Sequence, residues 1–182
     1  MDRMIATKEF YFIRHGQTDH NASENEGDHP SDIPLNQLGR EQAGKIEPLV
    51  ASLPVKTVCV SPMKRAKETN AILTVRMETP YVEIKNLEEC SAKIWWEMSK
   101  SGMYAGVPQT GEARSFMDRV RDGINEALTY QGPVLIIAHG GIHWALCCWM
   151  GIKKHKWAID NCIPVHFIPQ NDGSWVAREI LP

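Results

Sequence analysis

The sequence predicts an α/β fold, a three-layer α/β/α sandwich around a mainly parallel sheet that ends in an antiparallel hairpin. Three observations predict it. Short apolar runs rich in β-branched and aromatic residues alternate with stretches of helical spacing. The run Val134-Leu135-Ile136-Ile137-Ala138 is apolar at every position, as a strand covered on both faces requires. Near the end, Asn171-Asp172-Gly173 reads as a tight turn between two strand-like runs.

In chain order, residues 9–13 form an aromatic and β-branched strand that stops at Arg14-His15-Gly16. After a polar stretch, Pro34-Leu35-Asn36 opens a helix, with Asn36 as its N-cap and Leu38, Ala43, Ile46 and Leu49 on one face. Residues 55–60 are the second strand. Ser61-Pro62 then starts a helix, Ser61 as cap and Pro62 in the first turn, running to about Val75. Residues 81–84 form a third, shorter strand, followed by a Trp-, Met- and Gly-containing segment at about 90–110 that reads as an irregular cap. Residues 112–130 have helical spacing through Phe116, Val120, Ile124 and Leu128. The apolar strand 134–138 ends in His139-Gly140-Gly141, a helix runs through Trp149, and strands near 163–168 and 175–180 flank the hairpin turn. The 182 residues fit one domain, 1–182, carrying the cap as an insertion.

Composition narrows the function. Apolar residues make up 43% and charged residues 23%, a globular balance. A net charge of −2 without basic runs gives a nucleic acid or an anionic membrane little to bind, but leaves room for a small anion in a local pocket. The five cysteines have neither zinc-site nor disulfide-framework spacing and read as reduced thiols. The first twelve residues carry charges and no long apolar run, so the reading is a cytoplasmic protein.

In open α/β sheets, ligands bind beyond the carboxyl ends of the strands. There the sequence puts Arg14 and His15, the stretch from Ser61 to Arg65, Glu88 and Glu89, and His139. A phosphoryl group in transfer needs positioned cations and donors around its oxygens. Arg14 and Arg65 supply forked, permanent charges, His139 a further donor and Asn21 a neutral one. His15 offers a ring nitrogen as nucleophile. A leaving alkoxide needs a proton, for which Glu89 is the candidate acid and Glu88 its alternative.

These residues lie in stretches that resemble a known family. Arg14-His15-Gly16-Gln17-Thr18 with Asn21, Pro34-Leu35-Asn36 with Gly39, Gln42 and Ala43, Ser61-Pro62-Met63-Lys64-Arg65-Ala66 with Thr69, and His139-Gly140-Gly141 resemble the histidine phosphatase superfamily, or phosphoglycerate mutase-like proteins, in order and over nearly the whole chain. The resemblance implies a phosphoglycerate mutase-like fold and a phosphohistidine at His15. It makes Arg14, Arg65 and His139 the phosphate pocket, joined by Asn21 and Gly140 as substrate ligands, with neither metal nor cofactor. The family's Leu-x-Glu acid falls on Glu89 of Leu87-Glu88-Glu89. Departures follow: Lys93-Ile94-Trp95-Trp96-Glu97-Met98 lacks both glycines of a Gly-x-Trp-Glu-Gly run, and Gly111-Glu112-Ala113 stands where Gly-Glu-Ser is common.

Bland readings stand beside these. Ser61 reads as structural, and Cys147 and Cys148 as packed thiols. His139 and His143 have the four-residue spacing of helical metal ligands, but the glycines between them suit a helix interior poorly. Trp95, Trp96, Met98, Met103 and Tyr104 are either core or a substrate lid, and Lys93 and Lys100 either exposed or contacts for a second anion. The preferred function is a metal-independent phosphatase acting on a small phosphate ester, with no cofactor and oligomeric state open. The alternatives are a phosphoglycerate mutase, whose relatives tend to carry a longer C-terminal tail than a chain ending at Leu181-Pro182, and a non-catalytic phosphate-binding module.

Overall fold

The computed structural model describes residues 4–22, 32–101, 106–108, 110–153, 155–156 and 158–182. Six strands, β1 (Phe10–Arg14), β2 (Thr57–Val60), β3 (Tyr81–Glu83), β4 (Val134–Ala138), β5 (Pro164–Pro169) and β6 (Trp175–Glu179), form one sheet in the order β3-β2-β4-β1-β5-β6. β3, β2, β4 and β1 run parallel, while β5 pairs antiparallel with both β1 and β6. The helices are α1 (Asp19–Ala22), α2 (Gln37–Ser52), α3 (Lys64–Leu73), α4 (Ala92–Ser101), α5 (Gly111–Ala127) and α6 (Gly140–Met150), with a single 3-10 turn at Lys85–Leu87. This is the predicted α/β fold with its antiparallel hairpin. No helix among the described residues is long and apolar enough to cross a membrane.

The two-residue period of the strands sorts their side chains into two cores. Phe10, Phe12, Cys59, Val134 and Ile136 pack with α5 and α6 on one face. Tyr11, Ile13, Val58, Val60, Leu135 and Ile137 pack with Ala43, Ile46 and Val50 of α2 and Ala66 and Leu73 of α3 on the other. Phe10, Phe12 and Phe167 are fully buried, each contributing roughly 1.5–3 kcal/mol by leaving water. Because α2 leaves β1 on one face and α6 leaves β4 on the other, the chain reverses its winding between these neighbouring strands. A crevice opens at such a switch point.

Three expectations are corrected. Leu38 lies exposed, since α2 turns Gly39, Ala43, Ile46 and Val50 inward; the interior choice is made by Gly39, which alone fits against the loop after β1. A Cβ at Gly39 would stand 2.1 Å from the Gln17 carbonyl oxygen and 2.7 Å from its nitrogen. Ser61 does not cap α3, which begins at Lys64 behind Met63. The segment after Glu89 is not irregular throughout: α4 forms there because Met98 is buried and Trp95 packs edge-on to Trp144, ring centres 5.3 Å apart.

Candidate active site

Strand register alone brings the two key imidazoles together. β1 and β4 pair with Arg14 opposite Ala138, so His15 and His139 are the next residue on each strand. The His15 N–H continues the ladder by donating to the Ala138 carbonyl at 3.0 Å, and the Ser61 N–H does the same to Ile137 at 3.0 Å. The ring centres of His15 and His139 lie 5.2 Å apart, and both rings are buried.

The loop after β1 is locked by α2 and α3. Asn36 caps α2 through Gly39, its N–H donates to the Gln17 carbonyl, and its amide donates to the Gln17 side chain. Gln42 accepts from the Gln17 N–H at 2.9 Å. Thr69 of α3 accepts from the Gly16 N–H at 3.0 Å and donates to the Arg65 carbonyl at 2.7 Å. Gly16 has no room for a side chain, because a Cβ would come 2.4 Å from the Gly39 carbonyl oxygen.

His15 Nδ1 lies 2.7 Å from the Gly16 carbonyl and can only donate to it. That fixes the tautomer: Nε2 carries the lone pair and accepts from Arg65 Nε at 3.1 Å. Burial, then the charges of Arg65 and Arg14, pull the His15 pKa from 6.5 down to about 3, so the ring is neutral. His139 is driven well below its ordinary value by burial and by His15, Arg65 and Arg14. Its Nε2 lies 2.7 Å from the Ser61 hydroxyl, and its Nδ1 is buried without a partner among the described residues.

Arg14 closes the other side. One Nη donates to the Ile159 carbonyl at 3.0 Å, while its Nε is buried and unpartnered among the described residues. Gly140 lies beside it, where a Cβ would stand 3.7 Å from that Nε. Burial lowers the pKa of Arg14 and of Arg65 below the ordinary guanidinium value, but both stay charged. A buried guanidinium whose Nε has no partner among the described residues suits a ligand rich in acceptors.

Glu89 is held from across the crevice. Its carboxylate accepts from the Gly141 N–H at 3.0 Å, in the first turn of α6, and from the Cys90 N–H at 2.9 Å. A Cβ at Gly141 would come within 2.3 Å of that carboxylate, so a glycine at this position is what leaves room for Glu89 at the helix start. The charge of Glu89 is felt by both Arg14 and Arg65. Glu88 instead turns its carbonyl to Arg119. Beside Glu89 opens a hollow of about 330 Å³ lined by Asp32, Pro62, Met63, Glu88 and Glu89. Another, of about 390 Å³, lies at the opposite end of the sheet by Lys8, Glu9 and Val134, away from all of these groups.

Four of the strand-end groups expected from sequence are thus together: Arg14 and His15, Arg65, Glu89, and His139 with Gly140. The side chain of Asn21, together with Met103 and Tyr104, lies outside the described residues. A family profile for the histidine phosphatase superfamily (branch 1) matches residues 10–179. The chain belongs to the histidine phosphatase superfamily. It is 31% identical over 143 residues to an uncharacterized phosphatase, PhoE, of Bacillus subtilis, covering 74% of this chain and 72% of that one. It is 27% identical over 169 residues to the agropine synthesis reductase of Rhizobium rhizogenes, of which it spans only 39% while 87% of this chain is covered. In fold it is like a crystal structure of a phosphoglycerate mutase from Bacillus anthracis, with a TM-score of 0.73 at 18% identity over 96% of this chain and 93% of that one.

Several residues around this candidate site of the histidine phosphatase chain carry no signal that reading single residues picks up. Ser61, read as structural, is fully buried against His139. Asn161 donates to the His15 carbonyl at 2.7 Å, and the next residue, Cys162, donates its N–H to Arg14 from a left-handed conformation, φ 59°. Thr69 and Gln42 belong to the family motifs, and the structure supplies their partners.

The buried imidazoles make stability depend on pH. As pH falls through 6.5 the unfolded chain protonates its histidines, whereas folded His15 resists until about 3. Protons therefore favour unfolding in that window, and the contribution is complete above 6.5 and lost toward 3. The melting temperature of wild type is expected to fall faster than that of His15→Ala between pH 7 and pH 4. Parallel curves would contradict the buried neutral ring.

Proposed function

We propose that the chain is a phosphatase that hydrolyses a small phosphate monoester through a phosphohistidine on His15, with Glu89 as general acid. The supporting observation is the fixed tautomer of His15: Nδ1–H is tied to the Gly16 carbonyl, so Nε2 presents its lone pair beside two arginines. In this reading Arg14, Arg65 and His139, with Gly140 and Asn21 as further substrate ligands, hold the phosphoryl oxygens. The whole chain acts as one domain, with residues at about 90–110 as its cap.

The chemistry then follows in two displacements. His15 Nε2 attacks phosphorus as the ester P–O bond breaks, and the departing oxygen takes from Glu89 the proton that its carboxylate accepted from the incoming monoanionic ester. Arg65 Nε loses its nitrogen acceptor and turns to a phosphoryl oxygen. Glu89, each of whose oxygens retains a second lone pair beside its N–H partner, then takes a proton from water. The resulting hydroxide attacks phosphorus, the N–P bond breaks, and its electron pair returns to Nε2.

The hollow beside Glu89 favours hydrolysis over mutase chemistry. Its lining includes the acidic residues Asp32 and Glu88 next to Glu89 itself, a poor place for the carboxylate of phosphoglycerate. With 3-phosphoglycerate, release of inorganic phosphate is expected without 2-phosphoglycerate, and at a lower rate than from a phosphate ester whose alkyl group carries no charge. A chelator is expected to leave turnover unchanged, since Arg14 and Arg65 supply the positive charge. Interconversion of the two phosphoglycerates outpacing phosphate release, or dependence on added metal, would refute the reading.

A further inference from the structure

The loop that carries Glu89 leaves a strand too short to hold it. β3 has three residues, two of them exposed, at the edge of the sheet. What holds the loop is α5. Arg119 donates from a single Nη to two main-chain oxygens, that of Asn86 at 3.0 Å and that of Glu88 at 2.9 Å. Its guanidinium is itself braced over the Phe116 ring, 5.0 Å from the centroid. One turn along, Gly123 lets the helix touch the same loop: a Cβ there would stand 2.8 Å from the Asn86 Cβ. Between the two carbonyls, Leu87 is fully buried. The three residues before Glu89 are therefore pinned to α5, and Glu89 itself reaches over to the first turn of α6.

We propose that Arg119 is the positioning residue for the acid: by clamping the Asn86 and Glu88 carbonyls it sets where the Glu89 carboxyl meets the leaving group, without touching the phosphate. The inference rests on Glu89 being that acid. Charge-assisted bonds to carbonyl oxygens are among the stronger neutral-acceptor contacts, and both are lost together when that one Nη is removed. The cation also acts on the charges of Glu88 and Glu89, so a lysine, which keeps the charge but lacks the planar group braced over Phe116, separates the fixed geometry from the charge.

The test uses kcat/KM, which reports only the steps up to the phosphoenzyme, on two substrates. p-Nitrophenyl phosphate releases a phenolate that hardly needs a proton, whereas β-glycerophosphate releases an alkoxide that does. Arg119→Met is expected to lower kcat/KM for β-glycerophosphate about 30- to 100-fold but for p-nitrophenyl phosphate only about threefold, with inhibition by vanadate unchanged. Arg119→Lys should restore part of the loss, and Glu89→Gln should show the same selectivity more strongly. If Arg119→Met does not fold, Arg119→Lys carries the comparison, with a loss of about 5- to 10-fold confined to β-glycerophosphate. Equal losses on both substrates, weakened vanadate binding, or a wild-type ratio would overturn the role of Arg119. Equal losses in Glu89→Gln would instead show that the acid is misassigned.

Discussion

His15→Ala is expected to reduce turnover of any phosphate ester by roughly 10⁴-fold or more, because it removes the atom to which the proposed mechanism transfers phosphorus. The fold should survive the change. The contacts that place residue 15 are main-chain ones, its N–H to Ala138 and its carbonyl to the Asn161 amide, and neither needs the ring. Arg14, Arg65 and His139 remain, so vanadate should still bind to the variant. Residual turnover near the wild-type level would mean that another group, or water directly, attacks phosphorus. The binding-module alternative makes the opposite forecast, since a binder without turnover loses nothing when His15 goes.

The second large effect comes from a methyl group. Gly141→Ala places a Cβ about where the Glu89 carboxylate now sits, at 2.3 Å from one oxygen, and 3.0 Å from the Cys90 sulfur. The nearest group is the end of a flexible side chain, so it can swing away at small cost to the fold. What it loses is its seat on the helix N–H, and with it the alignment to the leaving group that the proposed mechanism requires. A fall of about 10²- to 10³-fold in kcat/KM for an alkyl phosphate is expected, with the melting temperature shifted by no more than about 3 °C. Activity near wild type would show that the observed seat of Glu89 is not the one used in catalysis. Gly39 offers the contrast, because there a Cβ would meet the backbone of Gln17, which has no such freedom.

Much of this was legible in the residues. The strand 134–138 announced itself by being apolar at every position, and it occupies the middle of the sheet between β2 and β1. Placing Arg14, His15 and His139 at strand ends was enough to bring them together, since a parallel register does the rest. The buried face of α2 was less legible. Apolar spacing chose Leu38, whereas the close approach of Gly39 to Gln17 sets the rotation of the helix and leaves Leu38 outside. Helix α4 was missed because its Trp and Met pattern, with Gly102 close behind it, is resolved by a tertiary partner, Trp144, about fifty positions downstream.

Ser61, Asn161 and Arg119 escaped for a different reason. Each acts on a site residue through a hydroxyl, a carbonyl or a loop, and a main-chain acceptor leaves no mark in the sequence. Ser61 also looked like the start of a helix, a local reading that was self-consistent but lost to its partnership with His139. The chemistry is written in side chains, but the aim of those side chains is written largely in backbone contacts.

The central claim is that phosphorus is carried by the His15 ring. Rapid acid-free quenching of the enzyme during turnover, followed by peptide mapping under alkaline conditions, measures it most directly. An acid-labile, alkali-stable phosphoryl group is expected on the peptide containing His15, formed and discharged at rates that match kcat and absent from His15→Ala. A phosphoryl group on another residue, or turnover that proceeds with no phosphoenzyme and with inversion at phosphorus, would contradict it.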